Sequence, residues 1–242
     1  MNIIIPMAGL GSRFEKAGFR LPKPLIKVGN IPMYQLAVNC LPLRMATKLV
    51  FVLRESAYAS KLKAHIYTHY QPIVNCEVVL LKEETQGQAE TVLKAAPLLD
   101  KQLPTLVHNC DTAIDPALNW ENLVKNKMDG ALLLFPSHEK RWSYARVDAE
   151  KREVLEVREK EVISPHASTG TYYFSDTPYL IHNIDYLIEN KLKQNGEYYL
   201  STVYKLMLQD KKVIKPFWTD KIECYGTPED LVNSLNQLIT LN

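Results

Sequence analysis

Residues 3–28 read IIIPMAGLGSRFEKAGFRLPKPLIKV. Residues 2–6 read as a strand, and the apolar run from Ile3 suits one covered on both faces. A turn of small residues follows and carries Arg13; ten residues later Lys23 stands between Pro22 and Pro24. The spacing decides what this turn can do. A dinucleotide-binding turn requires a third glycine in G-x-G-x-x-G, and Phe14 occupies that place. The Gly-Lys-Ser/Thr ending of a phosphate loop is also missing. What remains is a series of backbone N–H groups beside a fixed cation, which suits a nucleotide's base edge and phosphates. The Arg13 guanidinium can chelate phosphate oxygens in bidentate fashion. The flanking prolines restrict the backbone around Lys23 and so fix where its ammonium starts from. Two placed cations are the apparatus of phosphoryl or nucleotidyl transfer, in which positioning and charge neutralisation carry most of the rate.

Outward from this stretch, short apolar runs alternate with amphipathic ones. Strands are expected at 48–53, 76–81, 105–108 and 130–135, and helices at 32–41, 56–67 and 88–99. Such alternation predicts right-handed βαβ units in a three-layer α/β/α, Rossmann-like domain with a mixed, mostly parallel sheet. From about Tyr144 the texture changes to a period-2 hairpin region, followed by a tyrosine-rich strand in TGTYYFS. Helices near 179–190 and 198–209 and a strand at 213–218 come next. A last helix is capped by Thr227, with Pro228 first, Asp230 third, and Leu231, Leu235 and Leu238 facing inward. With no linker or repeat, residues 1–242 read as one catalytic domain.

Composition narrows the function classes. The 242 residues are 46% hydrophobic and 23% charged, with a net charge of +2. That is a globular composition with no electrostatic case for nucleic acid or a membrane surface. No apolar run approaches the ~18 residues of a membrane span. The four cysteines are scattered and form no metal or disulfide pattern, and the chain enters a strand at once. These features predict a cytoplasmic protein, without membrane insertion, working as a monomer or homodimer.

The order of the motifs resembles the sugar-nucleotide pyrophosphorylases, nucleotidyltransferases that join a nucleoside triphosphate to a phosphorylated small molecule. GLGSRF, seven spacer residues and PKPL resemble that family's signature. EETQGQAET (83–91) resembles its base-recognition stretch, and HNCDT (108–112) its metal-binding aspartate after a buried strand. EVREKEVIS (156–164), STGTYYF, NGEYYLS and YGTPEDL resemble the acceptor and closing elements in turn. The resemblance implies Arg13, Lys23 and Asp111 as catalytic residues, with Asp111 also holding Mg2+. It implies Met7, Ala8, Gly9, Gly11, Ser12, Gln86, Gly87 and Asn109 around the nucleotide. Glu159, Lys160, Gly170, Tyr172 and Glu197 are implied around the acceptor. The implied reaction releases pyrophosphate, with a sugar 1-phosphate for cell-surface polysaccharide as acceptor. Phosphocholine is an alternative acceptor. A glycosyltransferase of similar architecture, or a silent nucleotide-binding protein, is the rival reading.

The residues carry part of this independently. A carboxylate where a buried strand ends is costly unless paired or metal-bound, and strand ends are where open α/β sheets hold ligands. The competing role for Asp111 is a cap on a helix over 116–124. Gln86 to Gln88 offer amides and close backbone approach for reading a base, or simply begin a helix. Trp142, Tyr144, Tyr172 and Tyr173 divide between acceptor wall and core. The family's second metal aspartate falls at Cys224, a poor Mg2+ ligand. Glu223 and Asp220 are the nearby carboxylates, but on a regular strand Glu223 faces away from Cys224. The expected site therefore has one protein carboxylate, Asp111, together with phosphate oxygens.

Overall fold

A computed structural model of the chain describes residues 1–240, with side chains through residue 236. Its first half runs β1 (Asn2–Met7), α1 (Ser12–Lys16), β2 (Lys27–Val28), β3 (Ile31–Pro32), α2 (Met33–Asn39), β4 (Lys48–Arg54), α3 (Ala59–Tyr70), β5 (Cys76–Leu81), α4 (Gln88–Leu93), β6 (Thr105–His108), β7 (Thr112–Ile114) and α5 (Trp120–Lys125). Its second half runs β8 (Gly130–Pro136), β9 (Ser143–Asp148), β10 (Glu153–Glu159), β11 (His166–Phe174), α6 (Thr177–Glu189), α7 (Leu200–Gln209), β12 (Ile214–Trp218), β13 (Ile222–Cys224) and α8 (Pro228–Thr240).

The central sheet has the order β10-β9-β11-β6-β1-β4-β5, with β8 also on β11 and β12 on β8. Strands β6, β1, β4 and β5 are parallel, as are β8 and β12, while β11 runs antiparallel to β6, β8 and β9. This is the mixed, mostly parallel sheet expected. Ile3, Ile4 and Ile5 are fully buried, and they divide between the two faces: Ile3 and Ile5 join one apolar cluster and Ile4 the other. Burying each such side chain stabilises by about 1.5–3 kcal/mol, which favours a central place for β1 over an edge. The same alternation sends Leu49, Phe51 and Leu53 to the first cluster and Val50 and Val52 to the second. Residues of α2, α3 and α5 complete the first layer; α4, α6 and α7 complete the other.

Several expectations are corrected. The helix expected over 88–99 is α4 followed by a 3-10 turn, Ala96–Leu98. Pro97 has no N–H and its ring opposes the carbonyl four residues back, so α-helix cannot run through it. The helix expected over 116–124 begins at Trp120, with Asn119 accepting from the Asn122 N–H. Two short pairs, β2 with β3 and β7 with β13, leave no mark in the sequence, since two- and three-residue strands carry no period. The closing helix has its predicted cap: Asp230 N–H donates to Thr227 Oγ1, and Thr227 N–H to Asp230 Oδ2. Leu231 is buried and Leu235 packs beside it; Leu238 lies outside the residues whose side chains are described.

Candidate active site

A cleft of about 760 Å³ opens where β1 and β6 end. The turn after β1 supplies Met7, Ala8, Gly9, Gly11, Ser12 and Arg13 to its wall. Among the described residues, the amides of Gly9, Leu10 and Gly11 donate to no protein acceptor, so they remain available along the cleft. Gly11 has φ 66°, and a Cβ there would sit 3.1 Å from Lys23 Cβ. The glycine therefore serves twice, permitting the left-handed turn and letting the loop close over the lysine.

Lys23 and Asp111 form an ion pair, although 88 residues separate them. Lys23 also donates to the Gly226 carbonyl at 3.2 Å. Burial opposes the lysine's charge, but Asp111 outweighs it and holds its pKa above the ordinary value. Burial likewise opposes ionisation of Asp111, and Lys23 overrides it, so the carboxyl titrates below its ordinary value. Asp111 caps no helix. Its carbonyl accepts from the Tyr225 N–H at 2.7 Å, tying the end of β6 to the segment after β13. Beneath it His108 is fully buried, with Nδ1 on Thr171 Oγ1 and Nε2 on the Thr112 carbonyl. Burial lowers the His108 pKa to about 4, so the ring is a neutral brace of the strand end.

The far side of the cleft joins two motifs distant in sequence. Tyr198 N–H donates to the Gln86 carbonyl and Ala89 N–H to the Tyr198 carbonyl. Gly87, at φ 136°, lies against this clamp, and a Cβ there would meet Tyr198 N at 2.5 Å. Gln86 and Gly87 thus line the cleft beside Gly196 and Glu197. The Gln86 carboxamide oxygen accepts from Lys193 Nζ. Asn109 also lines the cleft; its Oδ1 accepts from Gln88 Nε2, and its side chain fills the space over Gly170, where a Cβ would sit 2.1 Å from Nδ2.

The remaining acceptor candidates are arranged less directly. Lys160 is exposed and donates to the Tyr199 hydroxyl at 2.6 Å. Glu159 accepts from Ser143 and Ser201, and burial raises its pKa against those hydrogen bonds. Neither lies on the cleft wall, whereas Glu197 does. Tyr172 is buried in the second apolar cluster, with its hydroxyl beside Ser143 and Ser168 and near Glu159, and it is not among the residues lining the cleft. Tyr144 and Tyr173 are core residues as well.

Cys224 stands where the resemblance puts the family's second metal aspartate. A Cβ on Gly226 would lie 3.3 Å from Cys224 Sγ and 3.5 Å from each of Asp111 Oδ2 and Asp230 Oδ2, so three side chains converge there. Burial, with Asp111 and Asp230 adding to it, pushes the Cys224 thiol up to about 12. Asp230 is committed to its helix cap and to Arg141 Nη1 at 2.6 Å. Glu223 faces away, as its parity requires, and accepts from the Tyr225 hydroxyl; Asp220 is exposed. Among the described residues, no group of three or more His, Cys, Asp or Glu forms a ready-made metal cage. Sequence reasoning missed Arg141, which no motif marks, and the roles of Gly226 and Asp230, which lay inside a motif already noticed.

The chain is 26% identical over 260 residues to the Bifunctional protein GlmU of Burkholderia orbicola (strain AU 1054), an alignment covering 100% of this chain and 51% of that protein. The chain thus spans about half the length of the curated relative it matches. Among solved structures, a nucleoside-diphosphate-sugar pyrophosphorylase from Vibrio cholerae RC9 superposes with a TM-score of 0.86 at 26% identity, over 97% of this chain and 100% of that one. The inositol-1-phosphate CTP transferase of T. maritima has a TM-score of 0.77 at 14% identity, over 98% and 96% of the two chains, a likeness of fold alone. No described helix is long and apolar enough to cross a membrane. The family model for nucleotidyl transferase matches residues 2–239, and the chain belongs to that family.

Proposed function

We propose that this protein is a nucleotidyltransferase that joins a nucleoside triphosphate to a phosphorylated small molecule, a sugar 1-phosphate, and releases pyrophosphate. The single observation that carries the reading is the Lys23–Asp111 pair, facing a turn with free amides and Arg13 across one cleft. Arg13, on the cleft wall, binds in this reading the phosphates that leave. Lys23, released from Asp111 by a competing anion, lies in this reading between the α-phosphate and the attacking phosphate. An acceptor phosphate is already ionised at neutral pH, so its attack requires no general base. The neutral His108 fits this, since it holds the strand end and moves no proton.

The donor set fits one hard divalent cation. Asp111 supplies an oxygen ligand in the cleft, while the Cys224 thiol keeps its proton. Asp111 would hold Mg2+ together with phosphate oxygens, and the ion would supply charge neutralisation to the polyphosphate. The whole chain acts as one catalytic domain in the cytoplasm, as a monomer or homodimer, and its product feeds cell-surface polysaccharide. A pyrophosphate-release screen tests the reading, crossing four nucleoside triphosphates with sugar 1-phosphates and other phosphorylated small molecules, phosphocholine included. Acceptor-dependent pyrophosphate from a sugar 1-phosphate supports it. Release only with a non-sugar acceptor moves the substrate class, and no release with any pair overturns the enzyme reading.

A further inference from the structure

Outside the residues that line the cleft, α3 carries His65 and His69 four residues apart, on one face of the helix. Their rings are stacked with centroids 4.1 Å apart and planes inclined by 30°. Each Nδ1 is already engaged. His69 Nδ1–H donates to the His65 carbonyl at 2.8 Å, which leaves a lone pair on its Nε2. His65 Nδ1 pairs with the hydroxyl of Tyr34, a residue buried in the core from α2. Among the described residues, neither Nε2 has a hydrogen-bond partner, and both rings are partly exposed.

We infer that His65 and His69 form a chelating site for one divalent transition-metal ion, bound through both Nε2 atoms and completed by water. Two imidazoles at this helical spacing reach a common ion from one face. Metal-bound histidines characteristically use the other ring nitrogen on a carbonyl, carboxylate or comparable partner, which fixes ring and tautomer; both rings here are held in that way. Binding selects the His65 tautomer in which Nδ1–H donates to Tyr34. Imidazole nitrogens favour Cu2+, Ni2+ and Zn2+ over Mg2+, so this site and the cleft sort metals differently. No glutamate follows His65 as it would in a hydrolytic zinc helix, since the run is HIYTH. The site therefore binds, and braces α3 against α2, without catalysing. Two protein ligands place the affinity below that of structural zinc sites, which have four.

The test is calorimetric titration of the untagged full chain with NiCl2, with MgCl2 as control. One Ni2+ per chain is expected, with a raised thermal midpoint. His69→Ala should weaken Ni2+ binding by about tenfold or more, as expected for loss of chelation, while keeping its metal-free midpoint. Asp111→Asn should bind Ni2+ like the parent chain. His69→Gln serves as a second variant if the alanine lowers the metal-free midpoint. Absence of saturable Ni2+ binding, undiminished binding in both His69 variants, or loss of binding in Asp111→Asn instead would each overturn the inference.

Discussion

Replacing Lys23 by methionine separates the two things the Lys23–Asp111 pair does. The two side chains are 18% and 20% exposed. Fully exposed pairs are worth about 0–1 kcal/mol, whereas deleting one partner of a fully buried pair costs about 3–5 kcal/mol because a charge is left alone. At one-fifth exposure the expected cost of Lys23→Met is about 2–3 kcal/mol. The double variant with Asp111→Asn should recover at least about 1 kcal/mol of that, since no uncompensated carboxylate remains. The pH dependence supplies a sign. In the parent chain the Asp111 pKa is lowered, so its contribution is present above the unfolded value and fades as pH falls through the folded one; the Lys23 pKa is raised, so its contribution is lost only as pH climbs through its folded value. Without the lysine, the Thr112 hydroxyl and His108 still act to lower the Asp111 pKa, but burial, the largest influence, now raises it. The folded state then holds a proton that the unfolded state has lost, and this group's contribution to stability falls with rising pH. Urea unfolding at about pH 5 and about pH 8, with and without MgCl2, reads all of this. The variant should lose more stability at the higher pH and regain part of it with Mg2+. A cost below about 0.5 kcal/mol, unchanged by Asp111→Asn, would refute the argument.

Two further results are expected from the cleft walls. Arg13 is exposed, and its side chain makes no hydrogen bond or ion pair among the described residues. Arg13→Ala should therefore lower kcat/KM by about 10²-fold at an unchanged thermal midpoint; near-parental kinetics would make the loop structural. Among the glycines, Gly9 has open space around its missing Cβ, whereas Gly170 has φ 80° and Asn109 at 2.1 Å. Gly9→Ala should keep stability within about 0.5 kcal/mol and Gly170→Ala should not, with urea midpoints deciding the comparison.

How much the sequence discloses depends on the range of the interaction. The parallel core is legible because 49–53 is apolar at every position, as in a strand covered on both faces. Lys23 and Asp111 are each conspicuous from their neighbours, but nothing local says that they pair, because that contact closes across 88 residues. The clamp of Gln86 and Ala89 on Tyr198 is hidden for the same reason. The tyrosine-rich strand is ambiguous for a different reason. In β11 both faces are buried, so Tyr172 and Tyr173 enter opposite apolar clusters, and alternation cannot distinguish a ligand wall from a core. Arg141 is invisible locally, since its partner Asp230 arrives from the last helix.

The same convergence of distant segments determines what a carboxylate at position 224 would do. Cys224 Sγ already lies 3.7 Å from Asp230 Oδ2, and Asp111 borders the same space over Gly226. Cys224→Asp therefore adds a third acid beside two existing ones. Lys23 is shared with Asp111 and the Gly226 carbonyl, and Arg141 with Asp230 and Glu139, so neither cation is free to neutralise it. Without metal the new carboxyl should be destabilising, by about 1–2 kcal/mol for a partly buried like-charge contact. A divalent cation reverses the sign, because two carboxylates then face one ion, and stabilisation grows as RT ln(1 + [Mg2+]/Kd). The variant should thus melt below the parent in EDTA and gain more than the parent from MgCl2. Glu223→Gln, on the opposite face and bound to Tyr225, should leave the parent's response to Mg2+ unchanged. Equal Mg2+ shifts in the parent and Cys224→Asp would show that position 224 does not share an ion with Asp111. A response lost in Glu223→Gln would place the second ligand one residue earlier, against the parity of β13.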